Sequence, residues 1–292
     1  MCRARPLLGT LVEIRAAGPE TRLKPAVDAA FAVIKQVHQQ MSFHDPESDV
    51  SRLNRQAARR PIRVAPETWA VLAFARVISE ASDGAFDITV APQLVHWGYL
   101  PRTSAPQPSL KQNGYRRIQL LAGQKVRFLG PTLIDLGGIA KGYAVDRACA
   151  ALEQHGVFDY VVNAGGDLRV GAQPETISVR HPGLPGVLVP LGAFRRASVA
   201  TSATYFAGKR WRGKNVHPLV SPRTGAPAKL ECSISVLAPD CLTGDALTKI
   251  VAVMGAKAGS VLRRFGAGAY LLSEAGKPRT LGAAAFSEEA PS

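Results

Sequence analysis

The order in which strand-like and helix-like segments follow one another constrains this chain most. "TLVEIRA" (10–16) alternates apolar and polar residues as a half-buried strand does. "LKPAVDAAFAVIKQVHQQM" (23–41) then places apolar residues at helical spacing and predicts a long amphipathic helix. The stretch 41–54 is turn-rich, with Asp45-Pro46 and Ser48 placed to cap a short helix. A second strong helix is expected over 66–84, with Pro66 and Glu67 suited to its first turn and Gly84 past its end. Beyond it come a strand or extended piece over 85–99, strands at 117–121, 125–128 and 132–136, and a helix over about 138–155. Residues 160–172 read as strand, glycine turn, strand. Further strands are expected near 176–180, 188–190, 197–201 and 231–237, then helices at 245–255 and 258–266 and a closing strand at 267–276. Strands thus come in adjacent groups broken by paired helices, without βαβ alternation. That pattern favours an α+β fold over a doubly wound parallel sheet. No low-complexity stretch is long enough to separate independent domains. One domain over 1–283 is expected, with an exposed loop at 101–113 and a disordered tail at 284–292.

With 292 residues, 46% of them hydrophobic, the chain can bury a large core. Its net charge is +14, but the basic residues stand in small groups such as Arg59 and Arg60, Arg116 and Arg117, and Arg263 and Arg264. Without a Lys/Arg tract or interleaved aromatics, nucleic acid is not an expected partner. A polyphosphate ligand suits the same charge balance. Cys2, Cys149, Cys232 and Cys241 form no C-x-x-C pair, so neither a disulfide framework nor a zinc site is indicated. No apolar run reaches membrane-span length. In "MCRARPLLGTLVEIRAAG", charge returns at Glu13 and Arg15 before a signal-peptide core could form. As written, the chain is expected to be cytoplasmic.

"IDLGGIAKG" (134–142) joins an apolar run to a helical pattern. Gly137 and Gly138 allow the backbone to approach a ligand closely, and the following helix points its N-terminal dipole at the same spot. Lys141 is early enough in that helix to reach a phosphate, and Asp135 could hold a ligand hydroxyl or amide. The same residues also serve a plain strand-to-helix turn. The spacing is neither that of a Walker A loop nor that of a dinucleotide-binding Gly-x-Gly-x-x-Gly. Two further turns, "NAGGDLRV" (163–170) and "SPRTGAP" (221–227), add glycines and a basic residue. "CLTGDALTKI" (241–250) places Asp245 and Thr248 three residues apart, on one helical face. A carboxylate and a hydroxyl are hard oxygen ligands of the kind Mg2+ takes when it also binds substrate phosphates. An acid near a helix start can equally be a cap.

Taken together, these segments resemble the ApbE-type FAD:protein FMN transferases. The likeness runs over nearly the whole chain and in the family's order: "PLLGTLVEI", "MSFHDPESDVSRLN", "DGAFDITVAPQLVHWGY", "IDLGGIAKGYAVDRA", "YVVNAGGDLRV", "SVATSATYF", "SPRTGAP" and "APDCLTGDALTKI". The resemblance implies a T-fold-like α+β domain of mixed sheets with packed helices. It also implies Mg2+-dependent transfer of FMN from FAD, the substrate, to a Ser or Thr hydroxyl of an acceptor flavoprotein, with release of AMP. An FAD pyrophosphatase giving FMN and AMP, or an FAD-binding protein without catalysis, are the alternatives. Relatives commonly work in the periplasm or at the membrane.

Carried over by position, the resemblance makes Asp135 and Lys141 FAD-contacting residues, with Ala85, Phe86 and Asp87 in a loop lining the same site. Leu219 lies near an apolar contact, and Leu8 and His44 stand where the family has Met and a flavin-stacking Tyr. Gly138 would offer a backbone carbonyl, and Asp245 its carboxylate, to the metal. Asp245 and Lys141 are then the expected catalytic pair. The family's second side-chain ligand, a Thr, is replaced by Lys249. Either Thr248 serves in its stead, or the Lys249 ammonium supplies charge the metal normally gives.

Overall fold

Val12, Ile14 and Ala16 point inward and are at most 6% exposed, as the alternation in "TLVEIRA" requires. They lie on strand β2 (Thr10–Ala17), which pairs antiparallel with β1 (Cys2–Leu7) and β6 (Asp159–Ala164). In the computed structural model, described for residues 1–105, 108, 114–184, 186–203, 207–229 and 232–282, the chain gathers into two compact units.

The first unit comprises residues 1–36, 141–205 and 230–292. Its eight-stranded sheet continues from β6 through β7 (Asp167–Val170), β10 (Ala197–Ser202), β13 (Cys232–Ala238), β14 (Gly268–Ser273) and β15 (Pro278–Gly282), antiparallel throughout. A separate hairpin, β8 (Glu175–Arg180) with β9 (Leu188–Phe194), buries Ile177, Val179 and Leu191 against Val170, Val199 and Leu272. Helix α6 (Cys241–Met254) packs on β10 and β13. Its close approach depends on Gly244, where a Cβ would meet that of Ala200 at 3.2 Å. Helix α7 (Gly259–Arg264) leads into β14. Helix α1 (Glu20–Met41) begins in this unit, and α5 (Ala140–Gln154) lies almost wholly within it.

The second unit comprises residues 37–140 and 206–229. It holds a three-stranded sheet in the order β3 (Ile62–Arg63), β5 (Lys125–Phe128), β4 (Ile118–Leu121), and a hairpin of β11 (Lys209–Trp211) and β12 (Lys214–Val216). Ser48 caps α2 (Asp49–Gln56), accepting the Ser51 amide at 3.0 Å. Buried Asp49 ties α2 to the start of α3 (Pro66–Ala81) by accepting from the Ala65 amide and the Thr68 hydroxyl, each at 2.8 Å.

Two segments expected as strand or extended chain take other forms. Residues 85–99 are not extended: they form a 3-10 turn at Ile88–Val90 and α4 (Ala91–His96). Asp87 caps that turn and Pro92 opens α4, so two local signals outweigh the strand-like alternation of "FDITV". Residues 132–136 form no strand. There the Asn54 side chain replaces a strand partner, its amide donating to the Ile134 carbonyl at 3.0 Å and its oxygen accepting the Ile134 amide at 2.8 Å. Ile134 is fully buried. Asn54→Leu should therefore orphan two backbone groups and cost about 2–4 kcal/mol, read by urea denaturation. A loss below about 0.5 kcal/mol would show that the pair contributes little. Edge strands β1 and β15, short and mostly exposed, carried no alternating pattern in the sequence. Most of the expected loop at 101–113 and the tail at 284–292 lie outside the described residues. Among the described residues, no helix is long and apolar enough to cross a membrane.

Candidate functional site

Helices α5 and α6 and strands β7 and β10 bring six polar side chains of the first unit together. Asp146, one turn into α5 beyond Gly142, fixes the start of α6 by accepting the Cys241 and Leu242 amides at 3.0 and 2.8 Å. Asp240 caps the same helix through the Thr243 amide at 2.7 Å. The cap is thus Asp240, which leaves Asp245 one turn inside α6, with no exposure to solvent. Its Oδ2 accepts the Gly142 amide at 3.1 Å and faces the Lys141 ammonium at 3.4 Å. Its Oδ1 accepts from Lys249 Nζ, one helical turn further along α6.

Lys141 also donates to Asp167 Oδ2. Asp167 follows the β6–β7 turn, where Gly165 and Gly166 take φ of 66° and 100°. That turn is a plain hairpin, yet it delivers a carboxylate only 1% exposed. Asp167 Oδ1 has no hydrogen-bond partner among the described residues. Lys249 donates to Ser202 Oγ at 3.2 Å. Ser202 and Thr248 hydroxyls share a bond of 2.8 Å, and Thr248 Oγ1 donates to the backbone carbonyl of Asp245 at 2.7 Å.

The electrostatics follow from burial among two cations and two anions. Burial pushes the Asp245 carboxyl up, but Lys141, Lys249 and the Gly142 amide outweigh it and hold it below the ordinary carboxylate range. Burial and the neighbouring Asp245 charge push Asp167 up, against the pull of the two lysines. The two carboxyls titrate as an interacting pair, with Asp167 shifted up and Asp245 shifted down. Lys141 loses hydration, yet the two carboxylates hold its pKa above its usual value.

In the second unit, the Asp135 amide donates to the Ile88 carbonyl at 2.9 Å, setting the glycine-rich turn beside the 85–88 segment. Ala85 and Phe86 are buried there. Asp87 accepts from the Thr89 amide and hydroxyl, each at 2.8 Å, and from the Tyr115 amide at 2.9 Å. Burial raises its carboxyl, and these bonds with Arg116 partly offset the rise. Asp135 is half-buried and also raised by lost hydration, while the Gly137 amide at 3.1 Å and nearby His44 oppose the shift. The His44 side chain is exposed, and Gly138 is half-buried three residues before Lys141. The Leu219 carbonyl accepts the Ala228 amide at 2.8 Å, closing the "SPRTGAP" loop.

Leu8 occupies the β1–β2 turn with Gly9, at φ of 56° and 73°. A leucine in the left-handed region costs roughly 1 kcal/mol, so Leu8→Gly should raise Tm. An unchanged or lower Tm would mean that Leu8 packing outweighs its backbone strain. Sequence reasoning did not single out Asp167, Asp146 or Ser202. The Gly-Gly-Asp order marked Asp167's turn, but only the strand pairing shows that its carboxylate is buried.

A family model described as "ApbE family" matches residues 8–271. A protein named FAD:protein FMN transferase from Haemophilus influenzae is 29% identical over 245 residues, covering 77% of this chain and 71% of its own length. One of the same name from Treponema pallidum is 28% identical over 294 residues, covering 90% and 81%. Among solved structures, the ApbE protein of Thermotoga maritima is 29% identical with a TM-score of 0.84, covering 96% of both chains. Flavin transferase ApbE from Vibrio cholerae, at 23% identity and a TM-score of 0.78, shares the fold. With a match spanning most of its length and a buried Lys/Asp cluster next to the glycine-rich turn in sequence, this chain belongs to the ApbE family.

Proposed function

We propose that this chain is an FAD:protein FMN transferase, moving FMN from FAD to a Ser or Thr hydroxyl of an acceptor flavoprotein. The acceptor oxygen attacks the FMN-side phosphorus of the diphosphate. A P–O bond to the acceptor forms, the anhydride bond breaks, the hydroxyl proton passes to solvent, and AMP leaves with the anhydride oxygen. Such a reaction needs alignment and neutralisation of phosphate charge more than covalent help from the protein. The observation that carries the reading is the pair of ammonium groups, Lys141 and Lys249, held by buried Asp245 in a chain of this family. In this reading, the two cations offset charge on the diphosphate, and Asp245 fixes them in a poorly hydrated site, where charges act strongly. Within the second unit, and on the family resemblance alone, Ala85, Phe86 and Asp135 are read as nucleotide contacts and exposed His44 as a ring for the flavin.

The family resemblance implies Mg2+ held by Gly138, Asp245 and a following hydroxyl. The donor set on this chain does not fit that ion. Both Asp245 oxygens already face ammonium groups, and Thr248 turns its hydroxyl to Ser202 and to the backbone. Charge neutralisation therefore falls to the chain's own two lysines.

The reading is tested by following AMP chromatographically with FAD, with and without an acceptor flavoprotein. AMP that appears only when the acceptor is present supports transfer. AMP with free FMN in the acceptor's absence would instead identify an FAD pyrophosphatase.

A further inference from the structure

We propose that the Lys249 ammonium takes the place of a divalent cation at Asp245, so that this site binds its ligand without metal. Lys249 lies one helical turn after Asp245 on α6, and the helix itself delivers the ammonium to Oδ1. The helix fixes where the lysine stem starts, and a side chain only 18% exposed leaves its ammonium little open solvent to swing into. Asp245 itself is fully buried, so a dication touching the carboxylate would meet an ammonium with little water between them.

The surrounding oxygens are also committed elsewhere. Ser202 Oγ accepts from Lys249 at 3.2 Å and bonds the Thr248 hydroxyl at 2.8 Å. Thr248 returns its own proton to the Asp245 carbonyl at 2.7 Å. The other Asp245 oxygen is held by the Gly142 amide at 3.1 Å, a donor that cannot coordinate a cation. Two ammonium groups and two carboxylates sum to zero charge. The cluster is complete in charge without an added ion, whereas an oxygen cage built for Mg2+ carries net negative charge until the ion enters.

The proposal takes FAD as ligand from the function proposed above, but its cation arm stands independently of that choice. Wild-type protein stripped with EDTA is titrated with Mn2+, and free Mn2+ is read by electron paramagnetic resonance. FAD binding is read in parallel by flavin fluorescence in EDTA. Wild type should bind Mn2+ more weakly than Lys249→Thr, and its FAD affinity should be the same with EDTA or Mg2+. Lys249→Thr, which frees Asp245 Oδ1 and adds a hydroxyl, should bind one Mn2+ about 10–100-fold more tightly than wild type. One tightly bound Mn2+ in wild type, lost in Asp245→Asn, would overturn the proposal whether or not the Thr variant folds. FAD binding abolished by EDTA and restored by Mg2+ would overturn it too. If FAD bound neither protein under any condition, the function proposed above would fail, while the Mn2+ comparison would still decide the role of Lys249.

Discussion

Asp245→Ala should abolish FMN transfer and destabilise the protein by about 3–5 kcal/mol, while some FAD binding persists. The carboxylate is fully buried and is the shared partner of Lys141, Lys249 and the Gly142 amide. Its removal leaves Lys249 with only the Ser202 hydroxyl, and Lys141 with only Asp167, among the bonds described. An ammonium left so poorly paired must gain water or lose its proton, and both options cost stability. FAD binding should survive to a degree on the proposed reading, because the 85–88 segment and Asp135, taken there as the nucleotide contacts, make none of this carboxylate's hydrogen bonds. Denaturation and turnover read the two effects separately. Normal turnover in Asp245→Ala would remove Asp245 from the mechanism. The pH dependence has a definite sign. The folded pKa of Asp245 lies below its unfolded value, so its stabilising contribution is whole above about pH 4 and fades as pH falls through the folded value.

Gly142→Ala should be at least as damaging, through sterics alone. A Cβ at Gly142 would stand 2.2 Å from the Cys241 carbonyl oxygen and 2.9 Å from Asp245 Cβ. The first atom is backbone and the second is pinned by its carboxylate bonds, so neither can yield without separating α5 from α6. That separation would also pull the Gly142 amide from Asp245 and Asp146 from the start of α6. We expect a loss of more than about 3 kcal/mol, or failure to fold, with transfer lost as well. Gly186→Ala is the control, since a Cβ added there would have no atom within 4 Å. If Gly142→Ala had the stability of Gly186→Ala, the close α5–α6 contact would be wrong.

Much of the fold was legible because periodicity reports burial directly. The alternation in β2 and the 3.6-residue spacing in α1 both follow from one buried face. The same logic misread 85–99, where Asp87 and Pro92 set a turn and a helix that outweigh a weak alternation. It also missed the role of Asn54, since a side chain that substitutes for a strand leaves no periodic trace. At the site, Asp245 and Thr248 were visible because their i, i+3 spacing places them on one face once a helix is assumed, whereas Lys249 stood out only through the family resemblance. Asp167 was not visible. Its partner Lys141 lies 26 positions away and meets it only through the pairing of β6 with β7. Asp146 was hidden in the same way, its work at the α6 start being a contact between residues 95 apart in sequence.

The most direct test of the account is the intact mass of an acceptor flavoprotein after incubation with FAD and this protein. With wild type, the acceptor should gain one FMN, placed by fragmentation on a Ser or Thr hydroxyl, and the gain should vanish with Asp245→Asn. An acceptor of unchanged mass, while FAD is consumed to AMP and free FMN, would contradict transfer. An equal gain with Asp245→Asn would contradict the site.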